Sequence, residues 1–249
     1  MYRMQKWGLF FLALFIMLKT NAQDRPVVIG VSINPGISWM QPENSHFTSE
    51  GAVFSFSYGL NFDFYFNKNY ALATGMQVLS WGGNVSYPDL YLQDTTITQV
   101  RSVSEYKYTA IQVPLYLKLK TNPIGYNSYF AEFGLSFLFP FKTSINTTST
   151  YEDGSTVDRG TESIKDNTPF ASVNLLLGAG IELPISGNTK AQISFQFLNG
   201  ISSLSTGKAY KTDGNGNVTN EEIENGGNPT GQDLVYYLKG LYINFRVIF

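Results

Sequence analysis

Residues 211–222, KTDGNGNVTNEE, are the first place in this 249-residue chain to look for chemistry. They align with the twelve-residue calcium loop of an EF-hand at several points. Asp213, Asn215 and Gly216 take its third, fifth and sixth positions, and Val218 and Glu222 its eighth and twelfth. The first position should be an aspartate that binds the metal directly, and here it is Lys211, a cation. Starting the frame at Asp213 instead puts Val218 where the sharp-turn glycine belongs. The flanks SSLSTGKAY and IENGGNPTGQ are poor helix formers, and an EF-hand needs a helix on each side. The stretch is therefore expected to be a mobile surface loop whose Gly, Asn and Asp serve turns, with no metal site and no cofactor. His46, the one histidine, lies in NSHFTSE near Ser45, Ser49 and Glu50. A catalytic base must be held against a nucleophile by a third group, and a loop segment gives no sign of that. STGK at 205–208 lacks the first glycine of a phosphate loop, and Ala209 stands where Ser or Thr should follow. No catalytic constellation survives, so the chain is read as not an enzyme.

The remaining candidates are charges, and their placement depends on strands. Residues 53–66, VFSFSYGLNFDFYF, alternate with period two. Phe54, Phe56, Tyr58, Leu60, Phe62, Phe64 and Phe66 form one face, and Ser55, Ser57, Gly59, Asn61, Asp63 and Tyr65 fall on the other. YFAEFGLSFLFPF (129–141) and LYINFRVIF (241–249) repeat the pattern. Weaker strands fit about 27–39, 70–82, 108–120, 170–185 and 190–201, which makes eight. The connections after the second, fourth and sixth strands are short: Asn67-Lys68-Asn69, TNPIGYN and SGNT. The others, at about 40–52, 83–107, 142–169 and 202–233, are long and polar. Strict alternation of short turns and long loops is the pattern of a transmembrane barrel, with its turns in the periplasm and its loops outside. The predicted fold is all-β, an eight-stranded antiparallel up-and-down transmembrane barrel over residues 23–249.

A soluble eight-stranded barrel of the lipocalin kind shows the same alternation with its apolar face inward. The polar faces here are mostly Ser, Gly, Asn and Gln with few charges, which suits a crowded interior. The apolar faces are rich in Phe and Tyr over seven successive positions, and the chain ends on Phe249. These features favour the membrane barrel. Asp63, Lys118, Glu132, Glu182 and Arg246 all fall on polar faces, close to a short turn or to the C-terminus. Folded this way they meet inside the periplasmic half of the lumen. Buried charges must pair, so they are expected to form a structural polar network filling a narrow barrel.

The first 22 residues read as a secretory signal peptide. Arg3 and Lys6 precede the apolar run WGLFFLALFIML, and Thr20-Asn21-Ala22 offers a cleavage site after Ala22. Loss of Arg3, Lys6 and Lys19 with that segment takes the formal charge from −2 to −5. A mildly acidic chain without a basic run is a poor partner for nucleic acid. With no cysteine it has no disulfide and no thiolate metal site. No later stretch has the ~18 apolar residues of a membrane helix, which does not bear on barrels.

The ordered pieces IGVSINPGISW, YALATGMQVLSWGG, YTAIQVPLYLKLK, LLLGAGIELPI and GLYINFRVIF span most of residues 26–249. Together they resemble the outer-membrane β-barrel proteins of Bacteroidetes, of the PorT type, within the wider OmpA/OmpX-like eight-stranded architecture. Tyr108, Val113-Pro114 and Lys118 carry the most specific piece. Phe249 resembles the terminal aromatic by which such barrels are recognised for assembly, which implies outer-membrane lipid and the barrel-assembly machinery as partners. Asp94-Thr95-Thr96 resembles a three-residue O-glycosylation site of the same bacteria. The family brings no shared catalytic residues. The expected role is that of a monomeric, non-enzymatic membrane protein, surface-interacting or envelope-structural, working through its long loops. The alternatives are a PorT-like accessory contacting an envelope or secretion-system protein, and more distantly a lipid-modifying enzyme or a soluble lipocalin-like binder.

Overall fold

The computed structural model describes residues 27–93, 96–224, 229, 231 and 233–249. The expected signal peptide and Thr95 lie outside the described residues. Among the described residues ten strands follow one another: β1 (Val27–Pro42), β2 (Thr48–Ser49), β3 (Val53–Asn67), β4 (Tyr70–Gln93), β5 (Thr96–Lys120), β6 (Ser128–Thr150), β7 (Thr156–Ser163), β8 (Ser172–Ser186), β9 (Thr189–Gly200) and β10 (Tyr236–Ile248). Eight of them are staves, paired antiparallel in the order β1-β3-β4-β5-β6-β8-β9-β10. β10 returns to β1 from Gly30↔Ile248 to Pro42↔Tyr236, so the sheet closes on itself. Closure removes the free edges that an open sheet would expose.

The turns decide which end is which. β3–β4, β5–β6 and β8–β9 are joined at the same end of the barrel, where β1 begins and β10 finishes. Gly187, in the two-residue link between β8 and β9, has φ +56°, a conformation that glycine adopts without steric cost. Asn69 ties two turns together: its side-chain amide donates to the Lys120 carbonyl at 2.7 Å, and its own carbonyl accepts the Lys120 N–H at 2.7 Å.

The opposite end differs from the sequence expectation. The segments 83–107 and 142–169 were expected as loops, yet β4 and β5 stay paired up to Gln93↔Thr96. β6 keeps pace with β5 as far as Thr150↔Arg101, and β7 folds back along β6. At about 3.4 Å per residue, the ten residues past Gly83 carry β4 roughly 30 Å further. Polar and charged residues blur the alternation there, and Pro88 reads as a strand breaker. Pro88 is tolerated because β3 pairs with β4 only as far as Ser80 and β2 only as far as Ser86. Beyond Ser86 that side of β4 is an edge, where proline forfeits no ladder bond. Two short helical turns, Lys165–Asn167 and α1 (Asn220–Glu224), sit in the long connections, where no helix was expected.

The faces settle the inside-out question. Phe54, Phe133 and Phe195 point outward and are 73%, 59% and 67% exposed, with Leu60, Leu72, Met76, Leu115 and Ile243 also exposed around the wall. Asp63, Lys118, Glu132 and Arg246 point inward and are at most 2% exposed. A soluble barrel would have these faces exchanged. A continuous apolar wall of this kind is a lipid-facing surface.

Candidate functional site

The lumen is filled in three layers. Nearest the turns, Lys118 on β5 donates to Asp63 Oδ2 at 2.8 Å and to Gln192 Oε1 at 2.7 Å. Arg246 on β10 reaches Asp63 Oδ1 at 3.4 Å through Nη1, and its Nη2 donates to the Tyr116 hydroxyl at 2.7 Å. The same Nη2 lies 3.9 Å from Glu132 Oε1, an ion pair too long for a hydrogen bond. Glu132 Oε2 accepts from Gln196 Nε2 at 2.6 Å. Gly134 gives the strands room here: a Cβ on it would come within 2.4 Å of the Tyr116 Cα. Two acids and two bases thus neutralise one another inside a shell of amides and a phenol.

Glu182, the fifth predicted residue, does not meet those four directly. It pairs with Lys190 at 2.7 Å and Lys120 at 3.3 Å, nearer the rim. Gln192 joins the two groups, donating to Glu182 Oε2 at 2.8 Å while accepting from Lys118. Lys120, Lys190, Gln192 and Tyr116 were missed. Their signal was present: Lys120 and Tyr116 share the parity of Lys118 on β5, and Lys190 shares that of Gln192 on β9.

An amide ladder forms the middle layer. Asn34 donates to Ser57 Oγ at 2.7 Å and Gln77 Oε1 at 3.1 Å, Gln77 to Asn61 at 2.9 Å, and Asn61 to Ser32 at 2.7 Å. The third layer, toward the long loops, is apolar and aromatic, against the expectation of a polar interior throughout. Met40, Leu79, Trp81, Leu138, Leu176, Leu198 and Leu238 pack there with Tyr106, Tyr108 and Tyr236. Trp81 stacks on Tyr108 at 4.2 Å, and the hydroxyls of Tyr106 and Tyr236 meet at 3.1 Å. The connection after β1 turns inward and lays Phe47 on Tyr87, with ring centroids 5.2 Å apart.

Above this plug the extended strands carry their own polar contacts. Arg159 on β7 pairs with Asp89 on β4 at 3.0 Å, donates to Ser102 Oγ at 3.3 Å, and lies 5.0 Å over the Tyr91 ring. A cavity of about 410 Å³ opens between Phe47, Tyr87, Arg159, Lys208, Tyr210 and Tyr236. Residues 211–222 are built rather than loose. Thr212 and Val218 bridge, and Val218 and Glu222 are buried. Asp213 Oδ1 accepts the backbone N–H of Asn215 and of Asn217, each at 2.9 Å. The Asn217 N–H, ahead of the other donors, holds the Asp213 carboxyl below its ordinary pKa. That carboxylate is a turn acceptor here, and Lys211 Nζ pairs with Glu221 at 3.0 Å. His46, at φ 64°, sets its ring against Gly216 of this same loop, so a Cβ there would meet Nδ1 at 2.9 Å.

Residues 21–206 match the family described as outer membrane protein beta-barrel domain. Similar solved structures include Neisserial surface protein A, at 9% identity over 90% of this chain and 98% of that one, with a TM-score of 0.39. The attachment invasion locus protein Ail of Yersinia pestis is similar at 13% identity over 89% and 99%, with a TM-score of 0.32. OprG from Pseudomonas aeruginosa is similar at 9% over 90% and 95%, with a TM-score of 0.35. No curated protein matches the chain. The family match covers most of the described barrel, and the closed sheet with its apolar outer wall is what such a domain requires. The chain belongs to the outer membrane protein beta-barrel domain family.

Proposed function

We propose that this protein is a closed, non-enzymatic, monomeric barrel that acts at the cell surface through the structure above its outer rim. The short turns face the periplasm and the tall β4–β5 and β6–β7 ribbons face outward, as in other outer-membrane barrels. The observation that carries this reading is the filled lumen beneath an enlarged outer structure. Ion pairs occupy the inner half, an aromatic plug the outer half, and three staves continue well past the apolar belt. A barrel built to pass solutes would keep that path open. The ion pairs act as a structural filling, and Phe249 serves the assembly machinery that places the barrel.

The test is to replace residues 86–103 with a two-residue turn and confirm folding by heat-modifiable gel migration. Proteins cross-linked at the cell surface would then be compared with those of the intact protein. Loss of surface partners with the barrel still folded is expected. Unchanged partners would move the function elsewhere.

A second reading has its own support. The turn at 121–127 exposes Ile124 at 64% and Tyr126 at 90% on the periplasmic side. Apolar side chains so placed suit an accessory that docks an envelope or secretion-system protein, as the PorT resemblance implies. Ile124→Ser with Tyr126→Ser should then abolish periplasmic cross-links, and trimming 86–103 should not.

A further inference from the structure

The outer wall is not uniformly apolar where it leaves the membrane belt. Going up β5, the outward residues Leu115 and Ile111 give way to Thr109, Lys107 and Glu105. Their neighbours across the sheet are Ser80 and Gly82 on β4, and Lys142 and Ser144 on β6. Gly82 is forced by the close pairing there, since a Cβ on it would meet the Tyr106 carbonyl. Small residues on β4 between Phe54 on one side and two lysines on the other leave a groove of about 440 Å³. Lys107 is held by Glu105 at 3.0 Å, and Lys142 adds a further positive charge, so the groove is net cationic. Its floor supplies the hydroxyls of Ser80, Thr109 and Ser144.

Hydroxyls and ammonium groups set directly above apolar rings fit an amphiphile with an anionic head and acyl chains. A protein partner would not need the apolar wall below, and a free anion would gain nothing from it. We propose that this groove binds the phosphate-bearing headgroup of an anionic lipid in the outer leaflet, with its chains lying down the wall past Ile111 and Phe139. The site rests on the membrane-barrel reading with its long loops outward. It adds to that reading one fixed lipid position on the wall of β4, β5 and β6. Each lysine near a bilayer surface contributes an attraction equivalent to about five-fold in affinity.

The test uses nanodiscs of phosphatidylcholine containing a minor fraction of phosphatidylglycerol, with lipid retained on the released barrel counted by native mass spectrometry. Wild-type protein should retain phosphatidylglycerol over phosphatidylcholine. The Lys107→Gln, Lys142→Gln variant should lower that preference roughly twenty-five-fold if both lysines act, and at least five-fold if Lys142 acts alone. Lys239→Gln, on β10 across the barrel, removes one outward-facing lysine remote from the groove and should leave the preference as in wild type. A roughly five-fold loss in the Lys239 variant, or none in the double variant, overturns the site. A wild-type protein that shows no heat-modifiable shift and does not enter the discs overturns the membrane reading itself, a result distinct from a lost lipid preference.

Discussion

Arg246→Met tests whether the ion-pair layer is a dry, structural filling. Methionine keeps the stem of the side chain and removes the guanidinium. In the native lumen Arg246 is 1% exposed and contacts Asp63 at 3.4 Å, Tyr116 at 2.7 Å and Glu132 at 3.9 Å. After the change Asp63 still has its direct ion pair with Lys118 at 2.8 Å, whereas Glu132 keeps a hydrogen bond from the neutral amide of Gln196 and no direct ion pair among the described residues. The uncompensated charge is therefore Glu132. Removing one partner of a buried pair costs about 3–5 kcal/mol, while a water-filled lumen would screen the loss to about 0–1 kcal/mol. Urea unfolding in phospholipid vesicles, followed by the fluorescence of Trp39 and Trp81, separates the two values. Adding Glu132→Gln to Arg246→Met should recover at least half of the loss, because the second change removes the orphaned charge. A single variant within about 1 kcal/mol of wild type, or a double variant no better than the single, would refute the dry-network argument.

Leu135 sits midway along the outward run Tyr129–Phe141, so Leu135→Arg should cost about 2–4 kcal/mol and reduce assembled barrel in outer-membrane fractions; undiminished assembly would place this face in water. In planar bilayers the wild-type barrel should show no steady ion conductance, and regular open steps would contradict the plug of Trp81, Tyr106, Tyr108 and Tyr236. Asp213 has a lowered folded pKa, so its support of the 211–222 turn is complete above the ordinary value of 3.8 and is lost as the pH falls through the lower folded value. The amide signals of Asn215 and Asn217 should titrate below pH 3.8, and a midpoint at or above it would show that the carboxylate is not held by those amides. Removing Phe249, whose N–H caps Ile29 at 2.9 Å and whose ring is half-exposed, should slow insertion in cells more than it lowers the stability of refolded protein; equal effects on both would deny it a role in recognition.

The barrel was legible because its strands report both faces at once. In β3 and in the lower half of β6, phenylalanines alternate with small polar residues, and that contrast fixes parity, strand number and the inward side of Asp63 and Glu132. Parity also placed Lys118 and Arg246 inside, yet it could not say who pairs with whom, which depends on the stagger between staves. That is why Glu182 was grouped with partners it reaches only through Gln192. The upper halves were harder. Leu79, Trp81, Tyr106, Tyr108, Leu138 and Leu238 are apolar on the inward face, so both faces of those segments are apolar and the period fades. Beyond Gly83 the period fades for the opposite reason, because the ribbon rises clear of the apolar belt and charged residues such as Glu105 and Arg101 are tolerated outside.

The two kinds of filling divide the work along the barrel axis. Charges near the turns are anchored by strands that end within a few residues, and Lys120 and Lys190 bring the rim cations that balance Glu182. Further out the staves lengthen unequally, β4, β5 and β6 rising past β1, β3, β8, β9 and β10. An ionic layer at that height would be opened to water by the uneven rim. Aromatic packing tolerates it, because Phe47 and Leu234 from the loops can cover the gap that the shorter staves leave. The same unevenness exposes an edge of β4 above Ser86 and turns β7 back along β6. The lopsided outer structure, with the Arg159–Asp89 pair clamping its base, is where this chain has spent residues that a bare eight-stranded barrel does not need. If the proposed surface role holds, variation there should alter partners while leaving the barrel below intact.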